Sequence, residues 1–321
     1  MSNKTSLKII SLFSGAGGLD LGLIQAGHEI VWANDIDPDA VETYKKNIGD
    51  HIVLGDIKKI DTKTIPDADV VIGGFPCQGF SQANLNRSKN DERNFLYLEF
   101  LRVVSDKKPK YFIAENVRGI LSLDGGKAIK KIVSSFSKAG YHVEYKLLDF
   151  ADYGVPQRRR RVVIAGTRKD LPLGNRFIFP EPTHTGKQSK NDKINLKPWV
   201  SVYQALNGIA EITENPETLP NQVYSRYKVT ERNFTGHRKT DPTKPSPTIL
   251  ARGNGKGGVC AIPHPNGQRR MSVRESATIQ TFPINYEFTG SLGSMYRQVG
   301  NAVPVLFGVH LGLQLSSLNK R

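Results

Sequence analysis

The sequence predicts an α/β protein built on a doubly wound sheet, with a second, smaller and irregular region in its second half. Three observations carry this. Over the first 170 residues, short apolar, β-branched runs alternate with amphipathic stretches, the pattern of strands joined by crossover helices. Near Pro172 the texture changes, and residues 172–268 are rich in Pro, Gly, Asn and Thr with no long periodic helix. After Pro304, VLFGVHLGLQLSSL again has an apolar helical face, which predicts that this segment rejoins the first unit.

The elements follow in order. LKIISLF, EIVWAND, DVVIGGF, KYFIAENV and RVVIAGT read as buried strands, and LGDI closes a further short one. DPDAVETYKKNIG opens with Asp37 as N-cap and Pro38 at the first helical position and stops at Gly49. NFLYLEFLRVVSDKK and GGKAIKKIVSSFSKAG carry apolar residues near the helical period. In the irregular region, SPTILARG predicts a short strand.

Composition narrows the function. The 321 residues are 38% hydrophobic, with ordinary charge content, which fits a folded chain with a sizeable core. No uninterrupted apolar run approaches the roughly 20 residues that span a bilayer, and MSNKTSLKII lacks the apolar core of a signal peptide. The expectation is a soluble, cytoplasmic protein without a membrane partner. Two cysteines, Cys77 and Cys260, make no disulfide framework, and no Cys/His cluster has metal-ligand spacing. The net charge is +15, and residues 221–274 hold eleven Lys and Arg against Glu231 and Asp241. Gly, Asn and aromatic residues interleave those charges, which favours a polyanion-binding surface over a plain solvated face.

Chemistry concentrates at predicted strand ends. ISLFSGAGGLDLG joins a strand to a helix, but its glycines fall at 15, 17 and 18, so the dinucleotide fingerprint fails at Asp20. An ordinary strand-to-helix turn has the same composition. Asp35, twenty positions beyond Gly15, stands where doubly wound folds place the carboxylate that accepts ribose hydroxyls, and Asp56 ends the next strand. Together they predict an adenosine-bearing ligand without a pyrophosphate. In GGFPCQGFS, Pro76 fixes the backbone before Cys77, and glycines allow a flat ligand to approach. A free cysteine is usually a small buried hydrophobe, yet this one follows a strand's carboxyl end, where a partly ionised thiol can act as a nucleophile. Glu115 in IAENV is a candidate acid or ring-nitrogen partner beside it. In VPQRRRRVV, alternation puts Arg159 and Arg161 on one face and Arg158 and Arg160 on the other.

These residues make the chain recognisable. It resembles the bacterial-type DNA (cytosine-5) methyltransferase family along nearly its whole length, through SLFSGAGGLDLG, NDIDP, GDI, GGFPCQGFS, ENV, DYGVPQRRRRV, MSVRESATIQTFP and YRQVGNAVP, in the family's order. Its departures are Met271 and Ser272, where a Leu-Thr pair is common, and Asp35, where several members carry Glu. The resemblance implies a mixed, mostly parallel Rossmann-like sheet of the S-adenosylmethionine-dependent methyltransferase kind. It also implies a catalytic unit of residues 1–175 plus 289–321 and a target-recognition unit of residues 176–288.

Carried over by position, the resemblance implies that Phe13 stacks on the adenine of S-adenosylmethionine and that Gly15, Ala16, Gly17 and Gly18 border its amino-acid part. Asp35 would hold the ribose, Ile36 would pack on adenine, and Asp56 and Ile57 would read its edge, with Pro76, Leu96, Asn301 and Ala302 completing the pocket. Cys77 would attack carbon 6 of a flipped cytosine. Glu115, in its protonated form, would bind ring nitrogen 3 and the amine, and Arg161 with Arg159 would orient both. The stretch GFSQANLNRSKNDERN would close over the base, with Gln78 and Ser81 at the DNA. Thr248 and Arg252 are candidates for the reading surface, whereas MSVRESATIQTFP would organise the smaller unit's core. The implied partners are double-stranded DNA and, functionally, a restriction endonuclease; the implied free state is a monomer.

Two rivals differ in class or substrate. A transfer-RNA methyltransferase on the same scaffold would carry a Pro-Pro-Cys turn and a Cys-Phe-Thr signature, and the sequence has neither. A catalytically silent DNA-binding regulator would be expected to have lost Cys77 or Glu115, and both are present. The broken phosphate fingerprint disfavours a dehydrogenase.

Overall fold

The computed structural model describes residues 6–76, 96–186, 196–209, 219–230, 239–251 and 261–318. Its frame is a seven-stranded sheet of β1 (Lys8–Leu12), β2 (Glu29–Asp35), β3 (Ile52–Leu54), β4 (Val70–Gly73), β5 (Tyr111–Val117), β6 (Tyr141–Asp149) and β7 (Arg160–Arg168), in the order β3-β2-β1-β4-β5-β7-β6. The first five strands in that order run parallel, and β7 lies antiparallel to both β5 and β6. Strand order reverses between β1 and β4, so the crevice where such sheets take ligands opens at the carboxyl ends of those two strands.

Each face of the sheet has its own apolar layer. On one side α1 (Gly18–Gln25) and α8 (Val305–Leu318) bury Leu19, Leu23, Phe307, Leu311 and Leu315. On the other, α3 (Leu96–Lys107) and α4 (Lys127–Lys138) bury Phe100, Val103, Ile129, Ile132 and Phe136. Central strands covered on both faces have little polar alternation, which is why Ile9–Leu12 of β1 and all of β4 are buried, with Ser11 the one polar side chain among them. Between β2 and β3, α2 (Pro38–Asn47) begins where Asp37 accepts from the Asp39 amide, and Lys45 and Lys46 end it in favourable dipole positions.

α1 and α8 approach closely because glycines face each other. A Cβ added at Gly22 would lie 2.3 Å from the Val305 carbonyl oxygen, and one at Gly308 would lie 2.8 Å from that of Leu19. Gly22→Val is therefore expected to destabilise the fold by roughly 1–3 kcal/mol or more, seen as a lower urea midpoint. Leu292–Leu318 is the one stretch among the described residues long and apolar enough to cross a membrane. It reaches that length only by joining α7 (Leu292–Asn301) to α8 across Ala302–Pro304, and most of it is buried, as expected of core helices.

A third apolar cluster gathers Val202 of α5 (Val202–Leu206), Ile249, Ile262, and Val273, Ala277 and Ile279 of α6 (Val273–Ile279), with Phe282, Tyr296, Ala16 and Ala302. α6 starts with a reciprocal cap between Ser272 and Glu275. A two-residue parallel pair, β8 (His184–Thr185) with β9 (Lys197–Pro198), ties down the start of the irregular region. SPTILARG does not form the predicted strand over its described residues. Pro245 and Pro247 remove ladder donors, and Ser246 makes only an isolated bridge to Gln157.

Candidate active site

The loop after β1 is built from left-handed backbone: φ is +55° at Phe13, +55° at Gly15 and +76° at Gly17. Only Phe13 carries a side chain there, a conformation that costs of order 1–3 kcal/mol and persists where surroundings enforce it. One support is visible, because the Ser14 amide donates to the Asn34 carbonyl at 3.0 Å. Gly18 then opens α1, and a Cβ there would lie 2.3 Å from the Val303 carbonyl oxygen. The helix thus begins just after the carboxyl end of β1, at the side of the sheet where the crevice opens.

Asp35, at the carboxyl end of β2, accepts from the Gly15 amide on Oδ2 at 2.7 Å and from the Asp37 amide on Oδ1 at 2.9 Å. Burial raises its pKa, and these backbone donors pull it back. The next residue, Ile36, is 66% exposed, an apolar surface beside a fixed carboxylate. Asp56 caps the short turn Ile57–Lys59 through the Lys58 amide. The side chain of Ile57 lies in the core, and its carbonyl accepts from Arg102 at 2.8 Å. Leu96 packs at the start of α3, and Ala302 is buried after exposed Asn301. A carboxylate held at a strand's carboxyl end, an exposed isoleucine and a glycine loop before a helix have the chemistry to fit an adenosine with an amino-acid tail.

Beneath this loop Asp20 is buried in the first turn of α1, accepting from Ser11 Oγ at 2.8 Å and the Tyr44 hydroxyl at 2.9 Å. Burial pushes its carboxyl up to about 6, against the lowering effect of those two bonds. The folded chain thus holds this proton more tightly than the unfolded chain. The resulting stability is full below the ordinary aspartate value of 3.8 and is lost as pH rises through about 6. Asp20→Asn is expected to flatten the fall in urea midpoint between about pH 4 and about pH 8, measured beside the wild type.

The second half of the site lies on β5 and β7. Glu115 pairs with Arg161, Oε1 to Nε at 2.9 Å, and both side chains are largely buried, at 14% and 13% exposure. The approach is off the N–H direction, so Oε1 has no aligned hydrogen bond among the described residues. Oε2 lies against Gly74, where an added Cβ would come within 3.3 Å. The Asn116 side chain donates through Nδ2 to the Phe75 carbonyl at 3.0 Å, holding the chain just before Pro76. Arg159 is also buried. Its guanidinium reaches the carbonyls of Ile249 and Asn301, and burial, then the like charge of Arg161, lowers its pKa well below the usual arginine range.

The predicted alternation in the arginine run holds. Arg159 and Arg161 turn inward, while Arg158 and Arg160 face outward and share Asp149 Oδ2, at 2.6 and 3.3 Å. Arg158 also stacks over Trp199. Cys77, Gln78, Ser81, Arg252 and the rest of GFSQANLNRSKNDERN lie outside the described residues. Thr248 stands beside the start of β7 with its hydroxyl on the Arg158 carbonyl at 2.6 Å. Asn34, Asn116, Gln157 and Gln280 were not singled out by sequence reasoning. Their signal is faint: single amides at the ends of apolar runs.

The basic region differs from expectation in one respect. Three of its eleven cations serve the interior: Arg269 pairs with Glu275 through two 2.7 Å bonds, and Arg270 and Arg274 are fully buried on backbone carbonyls. MSVRESATIQTFP thus lies in the core of this region. Arg226, Lys228, Lys239 and Lys244 are exposed.

Comparison with known proteins agrees with this geometry. The family described as C-5 cytosine-specific DNA methylase matches residues 7–317. Type II methyltransferase M.NgoFVII of Neisseria gonorrhoeae is 43% identical over 94% of this chain and 84% of its own length. Type II methyltransferase M.FnuDI of Fusobacterium nucleatum is 39% identical over 93% and 91%. Among solved structures, a prophage-encoded E. coli protein assigned as a DNA modification methyltransferase superposes with a TM-score of 0.76 at 25% identity, covering 98% of this chain and 100% of that one. S. pombe Dnmt2 methyltransferase shares the fold, with a TM-score of 0.67 at 20% identity over 98% and 99% of the two chains. A match that runs through both halves of the crevice leaves one assignment: the chain belongs to the C-5 cytosine-specific DNA methylase family and is a DNA (cytosine-5) methyltransferase.

Proposed function

We propose that this enzyme moves a methyl group from S-adenosylmethionine to carbon 5 of a cytosine flipped out of a short, specific duplex sequence, through a transient bond between Cys77 and carbon 6. The observation that carries the reading is the Glu115–Arg161 pair beside Gly74, three residues before Cys77 in the sequence. A buried carboxylate oxygen without an aligned donor suits the exocyclic amine of a pyrimidine.

In the reaction, the Cys77 thiolate adds to carbon 6 while Glu115 shares a proton with ring nitrogen 3, which takes up the electron density pushed into the ring. Carbon 5 becomes nucleophilic and takes the methyl. A base, with solvent water sufficing, then takes the carbon-5 proton, and the electron pair it leaves behind restores the aromatic ring and expels Cys77 as the thiolate. S-adenosylmethionine supplies the methyl on a sulfonium. Asp35 and Ile36 hold its nucleoside, and the loop at 13–18 holds its amino-acid end. Arg161 fixes Glu115, and Arg159 sits behind it. A base inside a duplex offers carbon 6 to no thiolate, so it leaves the stack at a cost of a few kcal/mol.

Residues 1–175 with 289–321 form the catalytic unit in this reading, and 176–288 the recognition unit, whose exposed Lys and Arg meet phosphates. The protein works as a monomer in the bacterial cytoplasm or nucleoid, as the modification half of a restriction–modification pair. Tritiated methyl transfer to DNA and, in parallel, to transfer RNA tests the assignment. DNA is expected to be labelled, whereas label in transfer RNA alone would overturn the substrate.

A further inference from the structure

We infer that Gln157 and Gln280 are positioning residues that hold the two backbone carbonyls around Arg159, so that the arginine face of the site is set from the small region and the cofactor-side turn together. The inference rests on the methyl-transfer reading above.

Both glutamines are fully buried, a costly placement for an amide unless every group is paired. They stand 123 residues apart, and Gln157 Nε2 donates to Gln280 Oε1 at 2.8 Å. Gln280 Nε2 donates to the carbonyls of Val299 at 2.7 Å and Ala302 at 3.2 Å. Gln157 Oε1 accepts from the Ile249 amide at 2.9 Å. Only one orientation of each amide satisfies this set. With its nitrogen on two carbonyls, Gln280 turns its oxygen to Gln157, which leaves the Gln157 oxygen for Ile249.

The peptides clamped in this way are those that hold Arg159. Its guanidinium donates to the Ile249 carbonyl at 3.2 Å and the Asn301 carbonyl at 3.5 Å, and its Nε has no partner among the described residues. Gln157 fixes Ile249 by its own amide, and Gln280 grips the chain on both sides of Asn301. Bonds this long break with a small displacement of either peptide. Arg159 also lies one strand repeat from Arg161, which pairs with Glu115, so a shift of its charge reaches the catalytic pair. A pair that only glued the core would move stability and leave the rate of the folded enzyme alone.

The test uses the full chain with Gln157→Met, Gln280→Met and both together. Single-turnover methylation of DNA is measured at saturating S-adenosylmethionine, with S-adenosylhomocysteine affinity and melting temperature alongside. The expected result is a rate about tenfold or more below wild type, affinity within about threefold, and a double variant no slower than the slower single. Rates within about twofold of wild type in folded variants, or losses that multiply in the double, would overturn the assignment. Gln157→Glu covers the case in which the methionine variants do not fold. Its acid form can donate to Gln280 Oε1 and its carboxylate cannot, so its rate relative to wild type is expected to fall as pH rises, and a flat ratio would overturn the assignment. Wild-type protein that binds S-adenosylhomocysteine but labels no DNA brings down the reaction itself, a failure visible before any substitution is made.

Discussion

Cys77→Ser is expected to abolish methylation while leaving cofactor affinity within about threefold of wild type, a rate loss of at least about a thousandfold. The asymmetry follows from the layout of the crevice. The residues proposed to hold the cofactor are spread over the ends of β1, β2 and α7, at Gly15, Asp35, Ile36 and Ala302, and none of them is a nucleophile. A thiol near its ordinary pKa is a few per cent thiolate at neutral pH, and the serine hydroxyl has no comparable ionised fraction. Tritium transfer measures the loss, and calorimetric titration with S-adenosylhomocysteine measures what remains. A duplex carrying 5-fluorocytosine supplies the covalent check: fluorine at carbon 5 cannot leave as the proton does, so the adduct stays attached to the enzyme. Wild-type protein should be trapped and the serine variant should not. Full activity in Cys77→Ser would refute the nucleophile.

The sequence was most legible where one periodicity has one cause. β4, most of β1 and the Tyr111–Ala114 part of β5 are apolar because both faces of the sheet are covered, and Arg159 and Arg161 separate from Arg158 and Arg160 because an extended chain alternates. β6 was not legible: it is an edge strand with Glu144 to Leu147 exposed, so apolar and polar positions follow no period. The buried arginines were hidden for another reason. Composition counts Arg270 and Arg274 as surface charge, and only the folded chain shows backbone carbonyls closing around them. Gln157 and Gln280 were invisible because a hydrogen bond between residues 123 apart leaves no local pattern. Motif order thus pointed to the family and to the groups proposed to react, while the contacts of Gln157 and Gln280 depend on long-range packing.

Glu115→Gln is expected to lower the methylation rate at saturating DNA and cofactor by about a hundredfold or more. Glutamine preserves the volume beside Gly74, so the cradle should survive. It can offer an amide hydrogen to ring nitrogen 3, but it cannot shift a proton as negative charge gathers there, and it leaves Arg161 without a counter-charge. Arg161→Lys separates the two effects. Lysine keeps the positive charge near Glu115 but loses the planar fork that fixes its orientation, so a smaller loss of about tenfold is expected. Because the two side chains touch at 2.9 Å, their losses should not multiply, and the double variant should fall close to Glu115→Gln alone. Single-turnover rates for the four proteins decide the matter. Wild-type rates in Glu115→Gln would remove the carboxyl from the chemistry, and strictly multiplicative losses would mean that Arg161 acts on the base by a route that does not pass through Glu115.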